Sequence, residues 1–134
     1  MVFFPDRILM ERFYNSEPAK YLRETNALRM ITEEEDPSGK ESAFLKSTEA
    51  GALTLFIREY GRGTDFKCFD SKVLDGGGVH VIQAFFSVDI AEEVQLKGRT
   101  ARQGAQGSYR YVIARSLINC FSAVLSRLIH YCQM

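Results

Sequence analysis

Arg99 and Arg102 stand in the stretch Gln95-Leu96-Lys97-Gly98-Arg99-Thr100-Ala101-Arg102-Gln103-Gly104, as two cations whose charge does not vary with pH. Three residues apart on a helix, they project from neighbouring positions and can reach one ligand together. Their planar forks of donors suit the charge spread over a phosphoryl group in transfer. About thirty residues earlier the chain reads Gly61-Arg62-Gly63-Thr64-Asp65. Gly61 and Gly63 allow positive φ and a close approach to a ligand or a neighbouring lobe, while Thr64 and Asp65 offer acceptors for a sugar hydroxyl or a partner arginine. A carboxylate and two fixed cations are what a nucleoside triphosphate needs. Each stretch also has a plainer reading, the first as a solvated basic helix end and the second as a turn. Gln95 and Gly98 before the arginines, with Gln103-Gly104 behind them, weigh against the plainer one.

The elements that must position these residues follow from the apolar runs. Val2-Phe3-Phe4, closed by Pro5, predicts a strand, and Ile8, Leu9, Arg12 and Phe13 continue with helical spacing. Ala27 to Ile31 predicts a second strand, followed by the acidic cluster Glu33-Glu34-Glu35-Asp36 and a helix through Ala43, Phe44 and Ser47. That cluster reads as a solvated helix start favoured by the helix dipole. Leu53 to Ile57 is a third strand and ends just before the first glycine motif. Gly76-Gly77-Gly78 reads as a loop into a fourth strand, Val79 to Ile82. A helix from Ser87 to Lys97, capped by Ser87 or Asp89, precedes a last strand over 108–113. This alternation predicts an α/β fold, a mainly parallel sheet flanked by helices, with ligands beyond the carboxyl ends of its strands. Leu117, Ile118, Phe121, Val124, Leu125, Leu128 and Ile129 predict a C-terminal amphipathic helix.

Composition bounds the rest. At 134 residues, 46% hydrophobic and 25% charged, the chain suits one globular domain. Lys+Arg and Asp+Glu both number 17, so no whole-molecule field draws in a nucleic-acid backbone. Cys68, Cys120 and Cys132 form no C-x-x-C pair, which disfavours a disulfide framework or a zinc site and predicts a reducing compartment. Pro5 and Asp6 interrupt any signal-peptide core, and the apolar stretch from Arg115 to Arg127 falls short of the ~20 residues of a membrane span. His80 and His130 have no ligand-spaced partner and receive no chemistry. No G-x-x-x-x-G-K-[ST] phosphate loop occurs, nor a D-E-x-D-like strand end to hold Mg²⁺.

In combination, G-R-G-T-D, G-G-V-H-V-I, Q-L-K-G-R-T-A-R-Q-G and G-S-Y-R-Y resemble the second nucleotide-binding fold of the SecA family of protein-translocating ATPases, within helicase superfamily 2. The motifs lie between residues 53 and 113, and the pattern of elements extends the resemblance over 1–114, leaving 115–134 as an extension. The resemblance implies a single RecA-like lobe. It implies that Gly61, Arg62, Gly63, Thr64 and Asp65 bind nucleotide, with Asp65 near the ribose and Arg62 or Thr64 coupling two lobes. It further implies that Arg99 and Arg102 act as arginine fingers on the γ-phosphate of ATP held by a P-loop lobe, and that Gln95 senses closure. Mg²⁺ would come only with that partner lobe, and hydrolysis by this chain alone is not expected. A polypeptide substrate, a cytoplasmic setting and contact with a membrane periphery are implied likewise. The chain departs from the family pattern at Ala101, where glycine is usual, at Tyr60, where a small residue is usual, and at Ala105 and Gln106, where an acidic residue is usual. Two other readings stand beside this one: a non-catalytic interaction module that keeps the fold, and an RNA helicase lobe, which the zero net charge weakens.

Overall fold

Val2-Phe3-Phe4, Leu53–Ile57 and Val79–Gln83 are nearly apolar on both alternating faces, as strands covered on two sides by helices must be. In the computed structural model, which describes residues 1–32, 37–63, 66–100 and 106–113, these runs are β1, β3 and β4. They form the middle of a five-stranded, wholly parallel sheet, with β2 (Leu28–Met30) and β5 (Gly107–Tyr111) at its edges in the order β2-β3-β1-β4-β5. Phe3 pairs with Phe56, Val2 with Ile82, Met30 with Leu55 and Gln83 with Tyr111. The predicted α/β lobe, a parallel sheet flanked by helices, is what folds, and it is consistent with a RecA-like architecture.

The period-two pattern of the strands sorts their side chains into two cores. On one face Val2, Phe4, Leu53, Leu55, Ile57 and Ile82 pack against Met10 and Phe13 of α1 (Arg7–Tyr14) and Leu22 of α2 (Lys20–Glu24). The other face is aromatic. Phe3 stacks on Phe56 at 5.1 Å, and Phe66 meets Phe56 edge-on at 5.1 Å and Phe44 of α3 (Pro37–Lys46) at 5.4 Å. Leu96 of α5 (Ile90–Lys97) closes that side. Asp6 starts α1 by accepting the Leu9 N–H at 2.8 Å, and Asp70 caps α4 (Ser71–Asp75) by accepting the Lys72 N–H at 2.9 Å. The 3₁₀ turn Glu17–Ala19, α2 and α4 are additions to the sequence reading, since pieces this short carry too few residues to show a period.

Several expectations fall on residues outside those described: the Glu33-Glu34-Glu35-Asp36 cluster, Thr64 and Asp65, Arg102 with its neighbours Ala101, Gln103, Gly104 and Ala105, and the amphipathic extension 115–134. Among the described residues no helix is long and apolar enough to cross a membrane.

The triple-glycine loop has a steric origin. Gly78 has φ +84°, and a Cβ built on it would lie 1.7 Å from the Gln106 carbonyl oxygen, where the approach to β5 crosses the start of β4. Gly51, at φ +77°, meets nothing within 4 Å. Gly51→Ala should therefore lower stability by about 1 kcal/mol, the cost of the left-handed backbone alone. Gly78→Ala should cost ~3 kcal/mol or more, because backbone must also move. Urea unfolding of both variants checks the difference.

His80 on β4 lies with Nδ1 2.6 Å from the Ser108 hydroxyl on β5. Burial first, then the positive amino terminus and Arg110, lowers its pKa from 6.5 to about 4. Between those values the unfolded chain binds more protons than the folded one, so stability is full above about pH 6.5 and is lost on acidification toward about pH 4. The urea midpoint should fall across that window, and His80→Gln should flatten the slope. An unchanged slope would assign the titration to another group.

Candidate functional site

The chain leaves the carboxyl end of β3 as a 3₁₀ turn, Arg58–Gly61, and runs along α5. Three arginines tie it there, two to the cap and first turn of α5 and one from the turn that follows the helix. Arg58 gives Nε and Nη2 to the two carboxylate oxygens of Glu92 at 3.1 and 2.9 Å, while its guanidinium lies 5.2 Å from the centre of the Phe85 ring. Arg62 bonds Asp89 at 2.8 Å. Asp89 is also the cap of α5, accepting the Ala91 N–H at 2.9 Å. That N–H first, and Arg62 second, hold its carboxyl below the usual range.

Arg99 is the third. Its Nη2 and Nε donate to the Gly61 carbonyl at 2.7 and 3.2 Å, and its guanidinium lies 5.6 Å from the centre of the Phe66 ring. Only 6% of the residue is exposed, and burial draws its pKa below the ordinary value. The two sequence motifs therefore meet through Arg99, across 38 positions of chain. Close approach depends on Gly61. A Cβ there would lie 2.8 Å from Leu96 Cδ2, so a larger residue would push Leu96 off its seat in the aromatic core.

The structure places Arg99 differently from the sequence reading in two respects. The helix ends at Lys97 with Gly98 as its cap, and Arg99 and Thr100 follow in a turn whose N–H groups bond the carbonyls of Leu96 and Lys97 at 3.1 Å each. Arg99 also faces inward. Glu92, Leu96 and Arg99 form one buried stripe at i, i+4 and i+7, and the long side chain continues that stripe into the core. Gln95, by contrast, is exposed, as are Arg62 and Gly63, the latter at φ +71° with open space around it. Gly61, Arg62, Gly63 and Arg99 are thus gathered at one place. Thr64, Asp65 and Arg102 lie outside the described residues.

Sequence reasoning missed Arg58 and Glu92. Glu92 is 3% exposed in the first turn of α5. Its spacing from Leu96 was the available signal, since a carboxylate on the apolar stripe of a helix needs a buried partner. A cleft of about 180 Å³ opens at the carboxyl ends of β1, β2 and β3, lined by Pro5, Asp6, Met10, Thr32, Ile57 and Glu59 among others. Among the described residues, none of the sequence-predicted site residues lines it.

Removing one member of the Arg58–Glu92 pair leaves a buried charge behind, while removing both does not. Arg58→Met should cost about 2–3 kcal/mol, below the full buried-pair range because Arg58 is half exposed. Adding Glu92→Leu should recover most of that loss in chemical denaturation. A loss under about 0.5 kcal/mol for the single variant would mean that Glu92 stays solvated.

No family model matches the chain. Over 79 residues, 58% of its length, it is 39% identical to "Protein translocase subunit SecA 2" of Nitrosospira multiformis, covering 12% of that protein. It is 29% identical over 94 residues to "Protein translocase subunit SecA" of Mycoplasma pneumoniae, and 27% over 96 residues to that of Syntrophus aciditrophicus, covering 70% and 72% of this chain. The chain thus matches about an eighth of the length of these relatives. Over half to some 70% of its length, on a parallel α/β sheet, it is SecA-like in sequence, similar to subunits of protein translocases.

Proposed function

We propose that this chain is one lobe of a SecA-type, ATP-driven protein-translocation motor, contributing one wall of an ATP site that a P-loop lobe completes. That lobe would stand on another chain or on a longer polypeptide. The observation that carries the reading is the double contact of Arg99. Gly61 and Phe66, which stand on either side of Thr64 and Asp65 in the sequence, both touch the Arg99 guanidinium. Contact between the glycine motif and the arginine motif supports a site built from both.

In this proposal the residues divide the work. Arg99 positions the loop, since its Nε and Nη2 are directed at a backbone carbonyl. Asp65 accepts a ribose hydroxyl, Arg62 or Thr64 couples the lobes, and Gln95, exposed on α5, senses closure. Arg102 is the finger that meets charge developing on the γ-phosphate. Bound ATP with Mg²⁺, held by the P-loop lobe, supplies the phosphoryl group, and the translocated polypeptide is the proposed substrate.

The test is reconstitution with a SecA P-loop lobe. The chain alone should hydrolyse no ATP, and the mixture should. Arg102→Ala should lower the stimulated turnover by about a thousandfold, with nucleotide affinity little changed. Unchanged turnover would remove the finger assignment. Binding of the P-loop lobe without any effect on its hydrolysis would favour the second reading, a non-catalytic interaction module, to which the enclosed position of Arg99 also lends weight.

A further inference from the structure

Large apolar side chains crowd one short stretch of the surface. Phe86, Val88, Ile90 and Val94 are 68%, 91%, 79% and 59% exposed. Phe86 and Val88 belong to the loop between β4 and α5, and Ile90 and Val94, four residues apart, share a face of α5. Their neighbours Phe85 and Leu96 already fill the aromatic core, so these four are surplus to it. Isolated surface hydrophobics are ordinary, but a cluster of this kind marks a contact surface.

We propose that the segment 114–134 of the same chain covers this patch. The described chain ends beside it: Tyr111 of β5 lies opposite Gln83 of β4, and the Val112 N–H bonds the Gln83 carbonyl at 2.9 Å. Gln83 is the residue from which the loop carrying Phe86 and Val88 departs. The segment from 114 to 134 has 21 residues, and at 1.5 Å per residue its predicted helix would reach about 30 Å, ample to run along the loop and α5. Leu117, Phe121, Val124 and Leu128, at i, i+4, i+7 and i+11, supply a stripe of matching character. Tethering gives such a segment a roughly millimolar effective concentration, an advantage over any separate partner. The inference does not depend on the ATP reading.

Native thiols make the test direct, because Cys120 and Cys132 sit three and four residues beyond Leu117 and Leu128 and so share their stripe. Val88→Cys is introduced into the full chain with Cys68→Ser, and the protein is treated with diamide at low micromolar concentration. Most molecules should form an intramolecular disulfide between the new thiol and Cys120 or Cys132, seen as a linked peptide after non-reducing digestion, at a rate independent of concentration. Tyr21→Cys, an exposed site on α2, should stay unlinked. Linked dimers whose yield rises with concentration would assign the patch to a second copy, and free thiols would leave it uncovered by this chain; either result overturns the proposal. A second measurement removes dependence on thiol geometry. Val88→Asp with Ile90→Asp, both at exposed positions, should speed amide exchange across 114–134 at least tenfold while leaving β1, β3 and β4 unchanged. Unaltered exchange in 114–134 would also overturn it.

Discussion

A guanidinium taken out of water keeps its charge only if its surroundings replace hydration, and the replacement around Arg99 defines the geometry of the whole region. The Gly61 carbonyl and the Phe66 ring are two of its partners, drawn from residues five apart in the sequence. A charge-assisted bond to a carbonyl contributes about 1.5–3 kcal/mol, and a desolvated cation–ring contact about 2 kcal/mol. Such contacts are directional, as a leucine at the same position would not be. Arg99 therefore specifies where Gly61 and Phe66 lie as well as stabilising them. Glycine at position 61 is the matching half of that constraint, since Leu96 occupies the space that a Cβ would need.

The remaining arginine ties are unequal, and their burial decides which of them matters. Arg58 reaches a carboxylate that is almost wholly enclosed, so the Arg58–Glu92 pair operates in a low dielectric and opening it is costly. Glu92 also lies in the first turn of α5, where the helix dipole favours an anion. Arg62 and Asp89 are both half exposed, and a solvated pair of that kind contributes little to stability. Segment 58–62 is thus held firmly by Arg58 and by the Gly61 carbonyl and loosely at Arg62. The loose end is also the open end, where Gly63 has free space around it.

The sheet was legible because central strands of a parallel α/β fold must be apolar on both faces, and Val2–Phe4, Leu53–Ile57 and Val79–Gln83 announce that without any partner in view. The cap of α5 was legible for a local reason, the Asp89 carboxylate being placed to take an N–H of the first turn. The pairing of Arg58 with Glu92 was not, because it spans 34 positions and depends on how β3 and α5 are docked. Arg99 is the instructive case. A charged residue near a helix end is read as solvated or as facing a ligand, yet its spacing from Glu92 and Leu96 continues the buried stripe. Helical period held the information, and residue type argued against it.

In the motor proposed above, the two arginines of the R-x-x-R sequence would take different roles, even though their chemistry is the same. Arg99 directs Nε and Nη2 at a backbone carbonyl on the core side of the turn that ends α5. A guanidinium in that state can hold a loop in register, but moving it to follow a ligand would strip the Gly61 carbonyl and the Phe66 ring of their cation. Any group that must respond to charge appearing on a phosphoryl oxygen has to be free of such obligations in the resting lobe. In the motor proposed above, that requirement separates positioning from stabilisation. It assigns the first role to the enclosed arginine, and the second to Arg102, three residues further on.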